Sequence, residues 1–413
     1  MERGNFLFSL SFFLFDFAWK MESISLIGKS AWVIIIVYDF IEGEKMNYKI
    51  RKEIHNMKRY VAGKPISEVK RELGIETVIK MASNENPMGA SPKVKEAIMR
   101  TYEDISLYPD SGSFGLRNEL SSLTGRSMDE IFVGGGSDSL IKVISSTLLD
   151  EEDEIIMGEH SFSRYEDNAK LMGAKVVKTD MEKLVLDLDA MEKAITEHTK
   201  IIYLCNPNNP TGSSFGKADF EAFISKVRKD IIVIMDEAYR EYVTREDFFD
   251  ALDYLDQYKN LIVLRTFSKA YGMASLRVGY GFADPELVGY FYRVVDPFDV
   301  NLFAQEAAVA ALKDQEYLKK VIKTNTEGKH YFYKELEGLG LPYVVSDSNF
   351  VLWDTKKDDM EIFNRLMRKG YIIRPGGFLG IPGYIRVTIS TMENNVGFMK
   401  AYKEVIREME EDK

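Results

Sequence analysis

Between about residues 85 and 300, short apolar runs alternate with longer segments whose apolar positions recur every three or four residues. The runs at 131–133, 154–157, 175–178, 200–204, 231–235, 261–264 and 278–282 predict strands, and 137–148 predicts a helix. Strands alternating with helices indicate an α/β fold, here a large domain over 85–300 with a mainly parallel sheet. Ligands of such sheets sit beyond the carboxyl ends of the strands. Stretches rich in Gly, Asn, Asp and hydroxyl residues fall at those ends, at 134–138, 206–212, 236–239 and 266–269.

The pattern changes after residue 300. Residues 305 to about 334 read as helix-rich, 343–354 as strand, 360–369 as helix and 385–390 as strand. That α+β texture predicts a smaller domain made of residues 46–84 and 301–413. Residues 1–45 read as an N-terminal extension. Their apolar runs, 6–15 and 31–38, are shorter than the roughly 18–20 residues a membrane span needs. A non-native extension or misplaced start is the preferred reading, with Met46 or Met57 as the true start. An interfacial segment and a secretory signal are the alternatives, the latter lacking a basic n-region and a small-residue cleavage site.

Charge narrows the class of partner. A net charge of −11, with both signs mixed along the chain, argues against a nucleic-acid surface. Cys205 is the sole cysteine, so no internal disulfide can form. The histidines (His55, His160, His198, His330) lack metal-ligand spacing, and no metal is predicted. These features suit a cytoplasmic enzyme of small molecules without membrane or nucleic-acid partners.

Lys269 is the residue with the most informative surroundings. It stands in RTFSKAYG (265–272), with Arg277 eight residues on. A lone Ser-Lys pair is usually a solvated loop. Here Thr266, Ser268 and Arg277 offer a phosphate cup beside an amine able to condense with an aldehyde, which suggests pyridoxal phosphate. That cofactor also needs a carboxylate at its pyridine nitrogen and donors at its 3-oxygen. Asp236 ends an apolar strand, with Tyr239 three residues on. Alone, such an Asp is more often a helix cap or a Mg²⁺ ligand, but no Walker-type loop precedes it. Asn209 lies in NPNNPTG (206–212), a rigid turn by composition. The Gly134–Gly136 run leads into Ser137 and Asp138, whose N–H groups open a helix and can take a phosphate. The spacing is not that of a dinucleotide fingerprint.

Together with RYVAGKP (59–65), SNENP (83–87), YPD (108–110), DEAY (236–239), LRVGY (276–280), SNFV (348–351) and IRVT (385–388), these motifs resemble the fold-type I, class I/II aminotransferases. Within that family the pattern is most similar to the branch of histidinol-phosphate aminotransferases, which serve histidine biosynthesis, and their aromatic relatives. The resemblance runs from about Arg59 to Val396. It implies Lys269 as the residue that binds the cofactor and moves the proton, and Asp236 as partner of the pyridine nitrogen. It implies Asn209 and Tyr239 at the 3-oxygen, Phe162 stacked on the ring, and Thr266, Ser268, Arg277, Ser137 and Asp138 at the phosphate. Tyr108 is implied to reach the cofactor of a partner subunit, hence a homodimer with shared sites. Arg386 is implied to grip the α-carboxylate of glutamate, with Arg374, Tyr60 and Asn84 also on the substrate side. Read on their own, Arg374 also fits a surface position and Tyr60 a core one.

The chain departs from the family pattern at Met88, at 159–162, at Ser139 and at Asp299. These changes bear on specificity rather than reaction class. Transamination between glutamate and imidazole-acetol phosphate is the expected activity. An aromatic (Tyr/Phe) aminotransferase and a decarboxylase of the same fold are the enzymatic alternatives. A ligand-sensing domain of a transcription regulator would need a basic helix-turn-helix upstream, and residues 1–45 carry only Arg3, Lys20, Lys29 and Lys45.

Overall fold

Seven strands, most of them apolar on both faces, form the central sheet: β1 (Ile131–Gly134), β2 (Glu154–Gly158), β3 (Lys175–Thr179), β4 (Thr199–Cys205), β5 (Ile232–Asp236), β6 (Leu261–Thr266) and β7 (Gly279–Phe282). The computed structural model describes residues 48–55, 57 and 63–412. Tyr60 and the apolar runs at 6–15 and 31–38 lie outside them. The strand order is β1-β7-β6-β5-β4-β2-β3. β7 runs antiparallel to both of its neighbours, and the other pairs are parallel.

The near-continuous Ile/Val/Leu content of β4 to β6 follows from burial on both faces. Alternate residues go to opposite sides. In β5, Val233 and Met235 join one core with Phe220, Phe267 and Val278. Ile232 and Ile234 join the other, with residues of α1 (Ser137–Leu148) and α2 (Ser163–Met172) such as Ile144 and Tyr165. Each fully buried branched side chain contributes about 1.5–3 kcal/mol.

Register brings the polar strand ends together. Cys205 is paired with Asp236, which places Asn206 beside it, and Asn206 N–H donates to the Asp236 carbonyl at 3.0 Å. Gly279 lies opposite both Gly134 and Thr266, so β7 joins the glycine turn to the strand that leads to Lys269.

A second sheet, β8 (Phe350–Asp354), β9 (Arg374–Pro375) and β10 (Tyr384–Thr388), is antiparallel in the order β8-β10-β9. It packs with α3 (Gln315–Gly338), α4 (Asp359–Arg368) and α5 (Met392–Glu411) around Phe332, Trp353, Ile362, Ile385 and Phe398. Val69, Met81 and Ala82 belong to the same core, and Ile79–Lys80 pairs in parallel with Tyr371–Ile372.

One expectation needs correction here. The strand read at 343–354 is confined to Phe350–Asp354, preceded by an isolated bridge from Tyr343 to Trp353. Residues 346–349 are Ser-Asp-Ser-Asn, side chains that offer the backbone local alternatives to a ladder. Ser348 N–H turns back to Ser346 Oγ at 3.1 Å, and Asp347 N–H donates to the Gly212 carbonyl at 2.8 Å. The helix-rich stretch at 305–334 holds two helices, Leu302–Leu312 and α3, with a break at 313–314.

Candidate active site

The chain leaves β6 at Thr266 and turns sharply. Thr266 Oγ1 accepts from Ser268 N–H at 3.1 Å, and Phe267 N–H donates to the Val278 carbonyl at 3.2 Å. The turn delivers Lys269, half-buried, with Nζ donating to the Ser83 carbonyl at 3.1 Å and 5.7 Å from the Tyr239 ring centre. Burial and the charge of Arg386 push its amine down to about 8. A tenth of the amine is then neutral near pH 7, enough to act as a nucleophile.

Asp236, the last residue of β5, is buried. Its carboxylate accepts from Tyr165 Oη at 2.6 Å and from Ala238 N–H at 3.2 Å. Burial pushes it up to about 6, against the pull of those two bonds. Both donors are neutral, so a cation placed beside the carboxylate would be strongly stabilised. Tyr239 is also buried, and burial keeps its phenol protonated. Its Oη accepts from Asn84 Nδ2 at 3.0 Å. Asn84 holds a left-handed backbone (φ 56°), secured by Thr388, whose Oγ1 accepts from Asn84 N–H at 2.9 Å, and by Asn349, whose Nδ2 donates to the Asn84 carbonyl at 3.0 Å.

Arg386 on β10 reaches across to the 206–212 turn, where its Nη1 donates to Asn209 Oδ1. Its Nη2 donates to the Ala82 carbonyl at 2.9 Å, and the guanidinium lies over Phe350 at 5.0 Å. Arg374 on β9 is paired directly opposite Arg386 and sits over the Phe378 ring at 5.3 Å. Side chains directly opposite across a ladder share a face, and like charges there are unfavourable unless something anionic lies between them.

The glycine turn forms the remaining wall. Gly136 has φ 94°, and a Cβ there would meet Arg277 Nη2 at 2.5 Å. That positive φ favours glycine, and the missing side chain leaves the guanidinium against the backbone. Arg277 itself is left-handed (φ 56°), a strained state for a side chain of that size, and donates to the Ala274 carbonyl at 3.0 Å. Ser137 and Asp138 are the first residues of α1, with N–H groups free of intrahelical acceptors by position. Phe162 sits just before α2, edge-on to Tyr165 at 5.6 Å.

Lys269, Tyr239 and Asn84 are thus linked by a hydrogen bond and a ring contact, and Arg386 is bonded to Asn209, while the Asp236 carboxylate bonds to Tyr165 and the Ala238 N–H, and Arg277 lies against Gly136 next to Ser137. Tyr108 is not among them. It is 82% exposed and stacks on Phe298 at 4.6 Å. A cavity of about 880 Å³ beside Pro65, Lys70, Lys80 and Asn394 shares only Thr388 with the bonds described above. Chemistry rather than volume marks the site.

Several residues escaped the sequence reading. Tyr165 lies three residues after Phe162, one helical turn, and that spacing was its available signal. Asn208, fully buried, donates to the His160 carbonyl at 2.9 Å and accepts from Ser161 Oγ at 2.8 Å. It ties the segment before Phe162 to the turn that carries Asn209. Glu237 and Arg265 lie inside quoted motifs yet carried no role. Arg265 Nε donates to Glu237 Oε2 at 2.8 Å and its Nη2 to Asp250 Oδ1 at 2.6 Å. This buried network holds the ends of β5 and β6 side by side, and with them Asp236 and Lys269. Cutting one partner from such a pair strands the other charge.

Comparison with known proteins agrees with this geometry. The model of the family "aminotransferase class I and II" matches residues 76–399. The histidinol-phosphate aminotransferase of Moorella thermoacetica is 44% identical over 359 residues, covering 87% of this chain and 93% of its own length. That of Caldicellulosiruptor saccharolyticus is 45% identical over 356 residues, covering 86% and 99%. Among solved structures, the Sinorhizobium meliloti histidinol-phosphate aminotransferase in complex with pyridoxal-5'-phosphate aligns with a TM-score of 0.80 at 27% identity, over 87% of this chain and 98% of its own. The matched span contains the central sheet, Lys269 and Arg386, and the chain belongs to the class I and II aminotransferases.

Proposed function

We propose that this protein is a pyridoxal-phosphate-dependent histidinol-phosphate transaminase, moving the amino group between glutamate and imidazole-acetol phosphate in histidine biosynthesis. The observation that carries the substrate assignment is the Arg374–Arg386 cross-strand pair. One half-reaction presents a carboxylate and the other a phosphate, and two guanidiniums on one face suit both through charge-assisted bonds. The names and extent of the relatives support the same reading.

The residues present fit the cofactor. A buried carboxylate pushed up to about 6 suits a pyridinium neighbour, a lysine pushed down to about 8 suits an aldehyde, and the close approach at Gly136 suits a phosphate cup. Asp236 would lie at the pyridine nitrogen, Asn209 and Tyr239 at the 3-oxygen, and Phe162 against the ring. Thr266, Ser268, Arg277 and the N–H groups of Ser137 and Asp138 would hold the phosphate. Bound there, the cofactor supplies an aldehyde for the amino group and a ring that accepts the electron pair released at the α-carbon.

The chain's own residues do the rest. Arg386 binds the α-carboxylate and orients the α-hydrogen toward Lys269. Lys269 Nζ would take the proton from the α-carbon. The same amine would hold that proton for its return, and addition of water would then release the donor as 2-oxoglutarate. Asp236 stays ionised and holds the ring nitrogen protonated, which keeps the electron sink effective. Asn84 and Thr388 keep the Tyr239 hydroxyl in place. Arg374 takes the phosphate of the second substrate, with Tyr60 and Asn84 assigned to the same side.

Substituting the two arginines separates the substrates. Arg374→Gln is expected to raise KM for histidinol phosphate about 10- to 100-fold and leave the glutamate half-reaction within threefold, the scale of a lost bond to a charged group. Arg386→Lys is expected to weaken both half-reactions, because an ammonium cannot make the bidentate contact. Single-turnover assays with each donor decide the matter. Strong turnover of tyrosine or phenylalanine and none of histidinol phosphate by the native protein would overturn the assignment in favour of the aromatic enzyme.

The homodimer belongs to the same proposal. Met99, Tyr102, Ile105, Leu107, Tyr108 and Phe114 expose large apolar surfaces along one short stretch of chain, the kind of surface a second copy covers. Tyr108 would there reach the partner's cofactor. Sedimentation at twice the chain mass is the expected result, and a monomer at micromolar concentration would sink this part. No described helix is long and apolar enough to cross a membrane. A buried free thiol at Cys205 suits a reducing compartment, and we assign the reaction to the cytoplasm.

A further inference from the structure

We infer that Tyr165 is a positioning residue of the active site, its hydroxyl holding the Asp236 carboxylate in the orientation needed against the cofactor's pyridine nitrogen. The inference rests on the assignment of Asp236 to that nitrogen.

Tyr165 is fully buried. Its Oη donates to Asp236 Oδ2 at 2.6 Å, a length typical of a hydroxyl bonded to an ionised acceptor. The other carboxylate oxygen accepts from Ala238 N–H at 3.2 Å. One bond comes from the main chain of the same turn and the other from a different element, α2. Rotation of the carboxylate about its Cβ–Cγ bond breaks one of them, so the pair sets the plane of the group.

The tyrosine is itself held. Its ring stacks on Tyr203 of β4, with centroids 4.2 Å apart and planes 10° from parallel. Phe162 packs edge-on at 5.6 Å and 84°. The Tyr203 hydroxyl shares a hydrogen bond with Ser145 Oγ of α1 at 3.3 Å. Tyr165 therefore joins the carboxylate at the ring nitrogen to Phe162, the side chain assigned to the ring face. One displaced ring would disturb both contacts.

The titratable groups facing Asp236 are the Tyr165, Tyr203 and Tyr239 phenols, the Cys205 thiol and the Asp138 and Glu237 carboxylates. Burial and the Asp236 charge keep Tyr165 protonated well above its ordinary range, so it remains a donor at any working pH. Among the described residues it is the titratable group whose hydrogen bond reaches the carboxylate. A donor here favours the ionised carboxylate and opposes burial, which drives it the other way.

Tyr165→Phe removes one oxygen and keeps both ring contacts. The test compares native, Tyr165→Phe, Asp236→Asn and double-variant full-length proteins, each loaded with pyridoxal phosphate. The readouts are the pH titration of the cofactor's visible absorbance, its dissociation rate, and kcat and KM for the glutamate half-reaction. Tyr165→Phe is expected to lower kcat about tenfold with KM within twofold, the pattern of a contact that matters in the transition state. Its spectral midpoint shifts in the same direction as that of Asp236→Asn, by less. In the Asp236→Asn background the same change adds almost nothing, because the two residues act as one unit. A native-like titration in Tyr165→Phe overturns the proposal, as does an equal loss in both backgrounds, which would mark a packing effect alone. A native-like titration in Asp236→Asn overturns the Asp236 assignment itself, and the inference with it.

Discussion

Lys269→Ala abolishes transamination in practice, with an expected fall in kcat of roughly four to six orders of magnitude. The scale follows from removing a covalent attachment point and a general base in one step. Lys269 Nζ contacts the Ser83 carbonyl and the Tyr239 ring, and neither of these can take an α-proton in its place. Binding of glutamate by Arg386 survives the change, so the loss appears in kcat rather than KM. Stopped-flow mixing of the loaded variant with glutamate checks it, and proton loss from the α-carbon within tenfold of the native rate would refute the assignment. The native lysine adds a pH signature. Its amine is pushed down to about 8, so the neutral form grows about tenfold per pH unit below that point and saturates above it. Capture of pyridoxal phosphate by the cofactor-free protein is expected to accelerate from pH 6 to 8 and then level off, about two units lower than for an ordinary lysine.

Asp236→Asn carries the second-largest effect, an expected 10²- to 10³-fold drop in kcat, the scale of losing one preorganised charge from a buried site. The amide fits the same space and still accepts from Tyr165. It cannot neutralise a pyridinium, so the cofactor's ring becomes a poorer acceptor and is held less tightly. Stability moves the opposite way. In the cofactor-free protein the carboxyl is pushed up to about 6 from an ordinary 3.8. A raised carboxyl binds its proton more tightly folded than unfolded, so this group favours the fold below about pH 4 and opposes it increasingly as pH rises to 6. Above pH 6 the penalty is full, of the order of 2–3 kcal/mol. Asp236→Asn removes it. Cofactor-free variant protein at pH 7.5 is therefore expected to unfold at higher denaturant than native protein, with the order reversing when cofactor is added. Equal midpoints in both conditions, with kcat within threefold of native, would show that no charge pair forms here.

The family departures noted in the sequence acquire geometry. Asp299 accepts from Gly135 N–H at 2.6 Å and from Ser139 Oγ at 2.9 Å, so the two unusual residues meet on the glycine turn. They are 160 positions apart in the chain, and their contact was invisible to a reading along it.

The sequence by itself determined the sheet and the chemistry of its ends. Apolar runs in β4, β5 and β6, short, rich in branched residues and alternating with helical segments, specify strands buried on both faces. The polar motifs that follow them, NPNNPTG, DEAY and RTFSK, must then lie together, since parallel strands end on the same side. Tyr165 beside Asp236, Arg374 opposite Arg386, Asn84 under Tyr239 and the Asp347–Gly212 contact were decided by tertiary structure alone. Three of those contacts join residues more than 70 positions apart, and none leaves a periodic trace, because hydrophobic periodicity records which face is buried and not which polar neighbour waits there. Arg374 and Arg386 are the sharpest case: only the register of two short antiparallel strands sets these two arginines opposite each other on one face.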